Sequence, residues 1–236
     1  MKWTQWLRLP GAVLLAALVF IPAGALSQAI GRTIPEGWAW GEWLSTSIFQ
    51  LLMAAVAMLI MLIIGRGRLG RFGFRLGSDL PVRAVVIAVF AMEALVTLAF
   101  LPFPEKGPGH FAGDFSFLQT VLGVWLIAST CEEIVTRGLV QGFLEPLSGR
   151  GVRIARLHLS VPVIAAAVLF SAMHVPLLVM GIDTALGVQI LVATFGLGLI
   201  AGYYRERTGS LLPAILAHML ANAFGMGFGE LVSLLR

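Results

Sequence analysis

Long apolar runs separated by short polar stretches dominate the chain, and their lengths decide the fold class. A helix rising ~1.5 Å per residue needs about 20 apolar residues to cross a hydrocarbon layer ~30 Å thick. Seven runs reach that length, at residues 9–30, 44–64, 82–102, 117–144, 160–180, 185–204 and 210–232. The pattern predicts an all-α fold, a polytopic membrane helical bundle of about seven transmembrane helices in a single transmembrane domain over residues 1–236. The fourth run exceeds what a bilayer needs, so its helix is expected to tilt or to project past the headgroups. In the fifth run Pro176 disfavours helical geometry at Val175, which predicts a kink or a stop beside His174.

Composition agrees with the pattern. Of the 236 residues 58% are hydrophobic and only 12% charged, about half the charged share of soluble domains. A pI near 10.0 would suit a nucleic-acid partner, but the basic residues lie between the apolar runs and form no single stripe, so none is expected. The one cysteine, Cys131, allows no intrachain disulfide. As a nucleophile it is disfavoured, because on a helix it points away from its neighbour Glu132.

Lys and Arg crowd alternate loops. Lys2 and Arg8, Arg66, Arg68, Arg71, Arg75 and Arg83, Arg150, Arg153 and Arg156, and Arg205 and Arg207 fall on one side, against Arg32, Lys106 and Arg236 on the other. That asymmetry predicts a plasma (inner) membrane protein with its amino terminus cytoplasmic and its carboxy terminus outside. Lys2, Arg8 and the small residues Ala23-Gly24-Ala25 also have the outline of a signal peptide, but the charge alternation works with the first helix retained. The Gly- and Arg-rich stretch 65–81 is expected to lie on anionic headgroups. Residues 102–114, rich in Pro and Gly, read as an irregular outer loop containing His110. Trp38, Trp40 and Trp43 read as an interfacial aromatic anchor.

Few strongly polar side chains remain inside the runs: Glu93, Glu132, Glu133, Arg137, His174, His218 and Asn222, with Gln50 and Gln189 as milder cases. Each ionised group costs ~2.5–3.5 kcal/mol at a helix centre, so such residues mark function by default. Glu133 and Arg137 are spaced i, i+4 and read first as a structural ion pair. Glu132 is rotated about 100° from Glu133 and has no cation one turn on, which makes it the candidate general base or acid. His218 and Asn222, again i, i+4, project from one stripe. Taken singly, His174, His218 and Asn222 are as readily interhelical hydrogen bonders as catalysts. Glu132 lies about 20 Å along its helix from the outer end near Thr120, and His218 and His174 lie about 12 and 21 Å from the inner ends near Ser210 and Ser160, so one cavity can hold all three. Glu93 reads as structural or cavity-lining, and His158 as a solvated loop residue. Gly198 and Gly202 form a small-xxx-small pair that lets helices approach closely.

In order along the chain, Glu132-Glu133-x-x-x-Arg137, Phe170-x-x-x-His174, Phe195-x-x-Gly198-x-x-x-Gly202 and His218-x-x-x-Asn222 resemble the motif set of the CAAX-prenyl-endopeptidase and bacteriocin-processing (CPBP or Abi) family. The stretch 207–214 leading into His218 looks similar too. The resemblance implies a catalytic core over 117–232, preceded by accessory helices in 1–116, and an intramembrane endopeptidase acting on a peptide or membrane-associated, possibly prenylated, protein substrate among membrane lipids. It also implies that Glu132 and His174 activate the attacking water while His218 and Asn222 stabilise the oxyanion. Glu132, His174 and His218 would suffice to ligate zinc with a fourth position open, yet the HExxH helix signature is absent. The preferred expectation is a glutamate mechanism that requires no cofactor. Two rivals stay open: a non-catalytic scaffold or immunity protein of the same fold, and a proton-coupled transporter using Glu93, Glu132 and the histidines as a relay.

Overall fold

The computed structural model describes residues 5–77, 80–103, 115–155 and 157–234. Lys2, Lys106, His110, Arg156, Arg236 and most of the expected 102–114 loop lie outside the described residues. Seven helices are long and apolar enough to cross a membrane: α1 (Arg8–Gly31), α2 (Gly41–Gly65), α3 (Val82–Phe100), α4 (Phe117–Leu147), α5 (Val161–Val179), α6 (Thr184–Thr208) and α7 (Leu212–Leu234). They coincide with the seven runs, and the chain is an all-α integral membrane protein. Burial is distributed as a lipid solvent demands. Leu14, Ile21, Ile63, Ile87 and Leu95 point outward, while Glu133, Arg137, Gln141 and His218 are buried.

Helix α4 lies between two groups of helices. Its Val135 and Leu139 pack with Val19 of α1 and Met53, Ala57 and Met61 of α2. On the other side Phe170 of α5 joins Val85 and Val89 of α3, Leu197 and Ala201 of α6, and Ala214 and Ala217 of α7. The start of α4 is fixed by a capping box in which Ser116 Oγ accepts from the Gln119 backbone and the Gln119 side chain accepts from the Ser116 backbone, satisfying two otherwise orphaned donors. Trp43 Nε1 donates to the Gln119 carbonyl at 2.8 Å, and its ring sits on Gly123, where a Cβ would come within 2.5 Å of that nitrogen. Trp43 therefore locks α2 to α4 as well as standing among the anchoring tryptophans. Along α4 the backbone winds as π-helix over Thr120–Ala128 and Ile134–Val140, leaving Ser129–Glu133 as an α-helical turn between.

Ser160 caps α5, accepting from the Val163 backbone. Regular α-helix ends at Ala172, beside His174, and Pro176 opens a separate short turn, Pro176–Val179, although Val175 itself keeps helical dihedrals, φ −55° and ψ −37°. Gly198 and Gly202 bring α6 hard against α5. A Cβ on Gly198 would stand 2.7 Å from both Cα and Cβ of Ala167, and one on Gly202 3.1 Å from Val163 Cγ1.

Two connections between helices carry structure of their own. The arginine-rich connection after α2 folds inward through a 3-10 turn, Leu69–Phe72, because Phe72 is fully buried against Gly65 and Gly142. Residues after α4 form an antiparallel hairpin, β1 (Gly151–Ile154) and β2 (Leu157–Ser160), with Arg153 opposite His158 and Ile154 opposite Leu157.

Replacing Gly198 by leucine should lower stability by about 1–3 kcal/mol, the usual cost of overpacking. Gly227, with open space around it, should accept alanine with no change. Thermal unfolding of the detergent-solubilised variants, followed by intrinsic tryptophan fluorescence, tests both.

Candidate active site

Two adjacent glutamates on α4 have opposite surroundings. Helix geometry turns their side chains about 100° apart, and the neighbouring helices do the rest. Glu133 is wholly buried. Its Oε1 accepts from Arg137 Nη1 at 2.9 Å and lies 2.9 Å from His218 Nδ1. A carboxylate oxygen only accepts, so Nδ1 carries the proton of this bond. That fixes the imidazole plane and turns Nε2 the other way.

Glu132 keeps 14% of its side chain exposed, against 0% for Glu133. The difference decides which carboxylate an incoming molecule can reach. Gln50 of α2 donates from Nε2 to Glu132 Oε1 at 2.9 Å, and Glu132 Oε2 lies 3.8 Å from His218 Nε2. That separation is too long for a direct hydrogen bond and leaves both atoms available to a third group. Below them, Thr136 Oγ1 donates to the Glu132 carbonyl at 2.6 Å and accepts from Arg137 Nη1.

Phe170 joins the remaining parts. His174 and His218 meet its ring edge-on, with centroids 5.1 and 5.3 Å away, and the Arg137 guanidinium lies over it at 4.6 Å. Arg137 Nε and Nη2 have no hydrogen-bond partner among the described residues, so this cation–π contact supplies part of what a buried guanidinium lacks. His174 Nδ1 is 3.0 Å from the Phe170 carbonyl, which accepts its N–H and leaves Nε2 free.

Asn222 is engaged elsewhere. Its Nδ2 donates to Ser129 Oγ at 3.0 Å and, at the longer distance of 3.4 Å, to the Val124 carbonyl. Ser129 Oγ donates to the same carbonyl, which sits in the first π segment. Glu93 is buried on α3 next to Gly225 of α7. Cys131 is buried and free.

Among the described residues no three His, Cys, Asp or Glu side chains are grouped so as to hold a metal ion. Glu132 and His218 adjoin, but the possible zinc set of Glu132, His174 and His218 is not assembled as a ligand group. Arg137, His174 and His218 thus meet on Phe170, Glu133 is held by Arg137 and His218, Glu132 adjoins His218, and Asn222 stands one helical turn along α7. Sequence reasoning ranked Gln50 as a mild case and passed over Ser129 and Thr136. A polar residue midway along an apolar run was the only signal for Gln50, and its partner is 82 positions away.

Residues 114–224 match the family model of type II CAAX prenyl endopeptidase Rce1-like proteins. No curated protein and no solved structure matches the chain. The matched segment contains every residue of this cluster except Gln50.

Replacing Arg137 by methionine strands the Glu133 carboxylate in a dry site and should cost about 3–5 kcal/mol. Pairing it with Glu133→Gln should recover much of that loss. Unfolding transitions of the single and double variants in detergent measure the difference.

Proposed function

We propose, from the match of residues 114–224 to the type II CAAX prenyl endopeptidase Rce1-like family model, that the chain is an intramembrane endopeptidase in which Glu132 is the general base. One observation carries the reading. Of two neighbouring carboxylates, Glu133 is sealed between Arg137 and His218, and Glu132 is accessible and 3.8 Å from the free His218 nitrogen.

A water between Glu132 Oε2 and His218 Nε2 donates a hydrogen to each. Its lone pair is then directed at the carbonyl carbon of a peptide bond. Glu132 takes the proton as the carbon–oxygen bond forms, and returns it to the departing amine nitrogen when the carbon–nitrogen bond breaks. Gln50 holds the other carboxylate oxygen, so Glu132 keeps its aim. Glu133 holds His218 in the tautomer that accepts at Nε2.

The developing oxyanion needs donors. His174 offers Nε2–H in the tautomer that releases the Phe170 carbonyl, from the open end of α5 where Pro176 breaks the helix. Asn222 offers its amide once the long bond to the Val124 carbonyl is released. His218 here holds the water, and the oxyanion falls to His174 and Asn222. No step runs through a metal ion. The substrate is a membrane protein segment, with a prenylated carboxy-terminal peptide as the family-typical case.

The purified chain in proteoliposomes should cleave a farnesylated peptide from a fluorogenic panel with or without chelator. Glu132→Gln should lower kcat by about 10²–10⁴-fold at an unchanged unfolding midpoint. Gln50→Leu should lower kcat about ten- to hundredfold with little change in KM, since it shifts only the aim of the base. Cleavage that chelator abolishes and zinc restores would defeat the glutamate mechanism. Proton-driven flux without cleavage would defeat the peptidase itself.

A further inference from the structure

The hairpin after α4 has two unlike faces, and one of them closes a cavity. Side chains alternate across a strand, so Arg153 and His158, which are cross-strand partners, share a face, as do Val152, Leu159, Ile154 and Leu157 on the other. Among the described residues Val152, Ile154 and Leu157 are each about half exposed. In a chain with seven membrane-crossing helices, an uncovered apolar face at the bundle end meets the lipid interface.

The polar face overlooks a cavity of about 480 Å³ at the end of the bundle that bears the arginine-rich loops. Arg75, Arg153, Arg205, His158, Glu145 and Glu206 line it, with Gln141 at its floor. Among the arginines and glutamates, three against two leave one net positive charge. Glu206 is already engaged by the Ser160 hydroxyl. Arg75 is pinned at the rim by Nε donating to the Gly209 carbonyl at 2.8 Å.

Two of the lining groups are almost fully buried yet incompletely paired. Arg205, 5% exposed, donates from Nη2 to the Arg71 carbonyl at 3.2 Å, and its Nε has no partner among the described residues. Gln141, 0% exposed, spends Nε2 on the Gly202 carbonyl, and its Oε1 has no partner among the described residues. Buried polar atoms are normally satisfied. Here a donor and an acceptor both stand unmet beside one cavity.

We infer that this cavity binds the headgroup of a monoanionic phosphodiester lipid that also carries hydroxyl donors, with the hairpin's apolar face beside the lipid's chains. The phosphate neutralises the single net positive charge through the arginines, the usual partners of phosphate oxygens. The headgroup hydroxyls satisfy the acceptors, Gln141 Oε1 and the Glu145 carboxylate. The apolar face selects a lipid over a free phosphate ester, since a soluble ligand leaves Val152, Ile154 and Leu157 uncovered. The inference is independent of the peptidase reading, because its readout is binding.

The full-length chain, stripped of lipid in detergent, is titrated with phosphatidylglycerol, phosphatidylcholine and glycerol 3-phosphate, and bound species are counted by native mass spectrometry. One phosphatidylglycerol should be retained at concentrations where phosphatidylcholine is not. Arg153→Gln and Arg75→Gln, both at exposed positions, should each weaken retention about tenfold. Val152→Ser with Leu157→Ser should weaken it too. Equal retention of phosphatidylcholine overturns the proposal, as does unchanged binding in both arginine variants. Glycerol 3-phosphate binding as tightly as the lipid overturns the lipid assignment in favour of a soluble phosphate ester.

Discussion

The ion pair of Arg137 with Glu133 is the constraint around which the bundle is arranged. Both side chains are wholly buried, in a protein whose solvent is hydrocarbon. Removing two charges from water costs several kcal/mol per ion, and their attraction offsets this only with good geometry and further partners. Each neighbour can be read as such a partner. Thr136 gives Arg137 an acceptor, Phe170 gives it a ring face, and His218 gives Glu133 a second donor. Gly198 belongs to the same set. A side chain there would press on the Ala167 backbone and come within 3.4 Å of Arg137 Nη2, so the glycine lets α6 close over the guanidinium.

The pair also divides labour between adjacent carboxylates. A single glutamate cannot be both neutralised by a cation and left available to water. With two in succession, helix rotation assigns one to each task. Glu133 absorbs the arginine and holds His218 by Nδ1, while Glu132, one residue earlier, looks past the same imidazole from its Nε2 side. His218 therefore stands between the dry half of the cluster and the accessible half.

The fold was legible because a bilayer admits few solutions. Backbone groups in hydrocarbon must be satisfied within each segment, so a run of sufficient apolar length is a helix, and all seven were placed from length alone. Local devices were equally readable: the i, i+4 Glu133–Arg137 pair, the break before Pro176, the close approach at Gly198 and Gly202. Interhelical partnerships were not. Nothing in the sequence states that Gln50 faces Glu132, that His218 Nδ1 turns to Glu133, or that Asn222 reaches Ser129, since these depend on how each helix is rotated about its axis. The π segments on either side of Ser129–Glu133 alter that rotation on α4 itself, and a uniform 3.6-residue reading cannot supply it. The hairpin escaped notice for a different reason. Its strands are four residues each, too short for alternation to stand out beside the long runs that flank them.

The two ends of α4's polar stripe solve opposite problems with similar residues. At Arg137 the guanidinium is enclosed by a carboxylate, a hydroxyl and a ring, and the charge is spent on holding helices and an imidazole in place. One turn on, Gln141 ties α4 to the Gly202 carbonyl of α6 and marks where the stripe leaves the sealed interior. Beyond it Arg205, Arg75 and Arg153 stand around open space, with more positive charge than the adjacent glutamates balance. The same glycine that lets α6 approach α5, Gly202, gives Gln141 its hydrogen bond, so the packing that closes the cluster in the middle of the bundle also fixes the floor of the cavity at its end. Tight helix contact and an unfilled polar recess are thus two consequences of one small-residue seam.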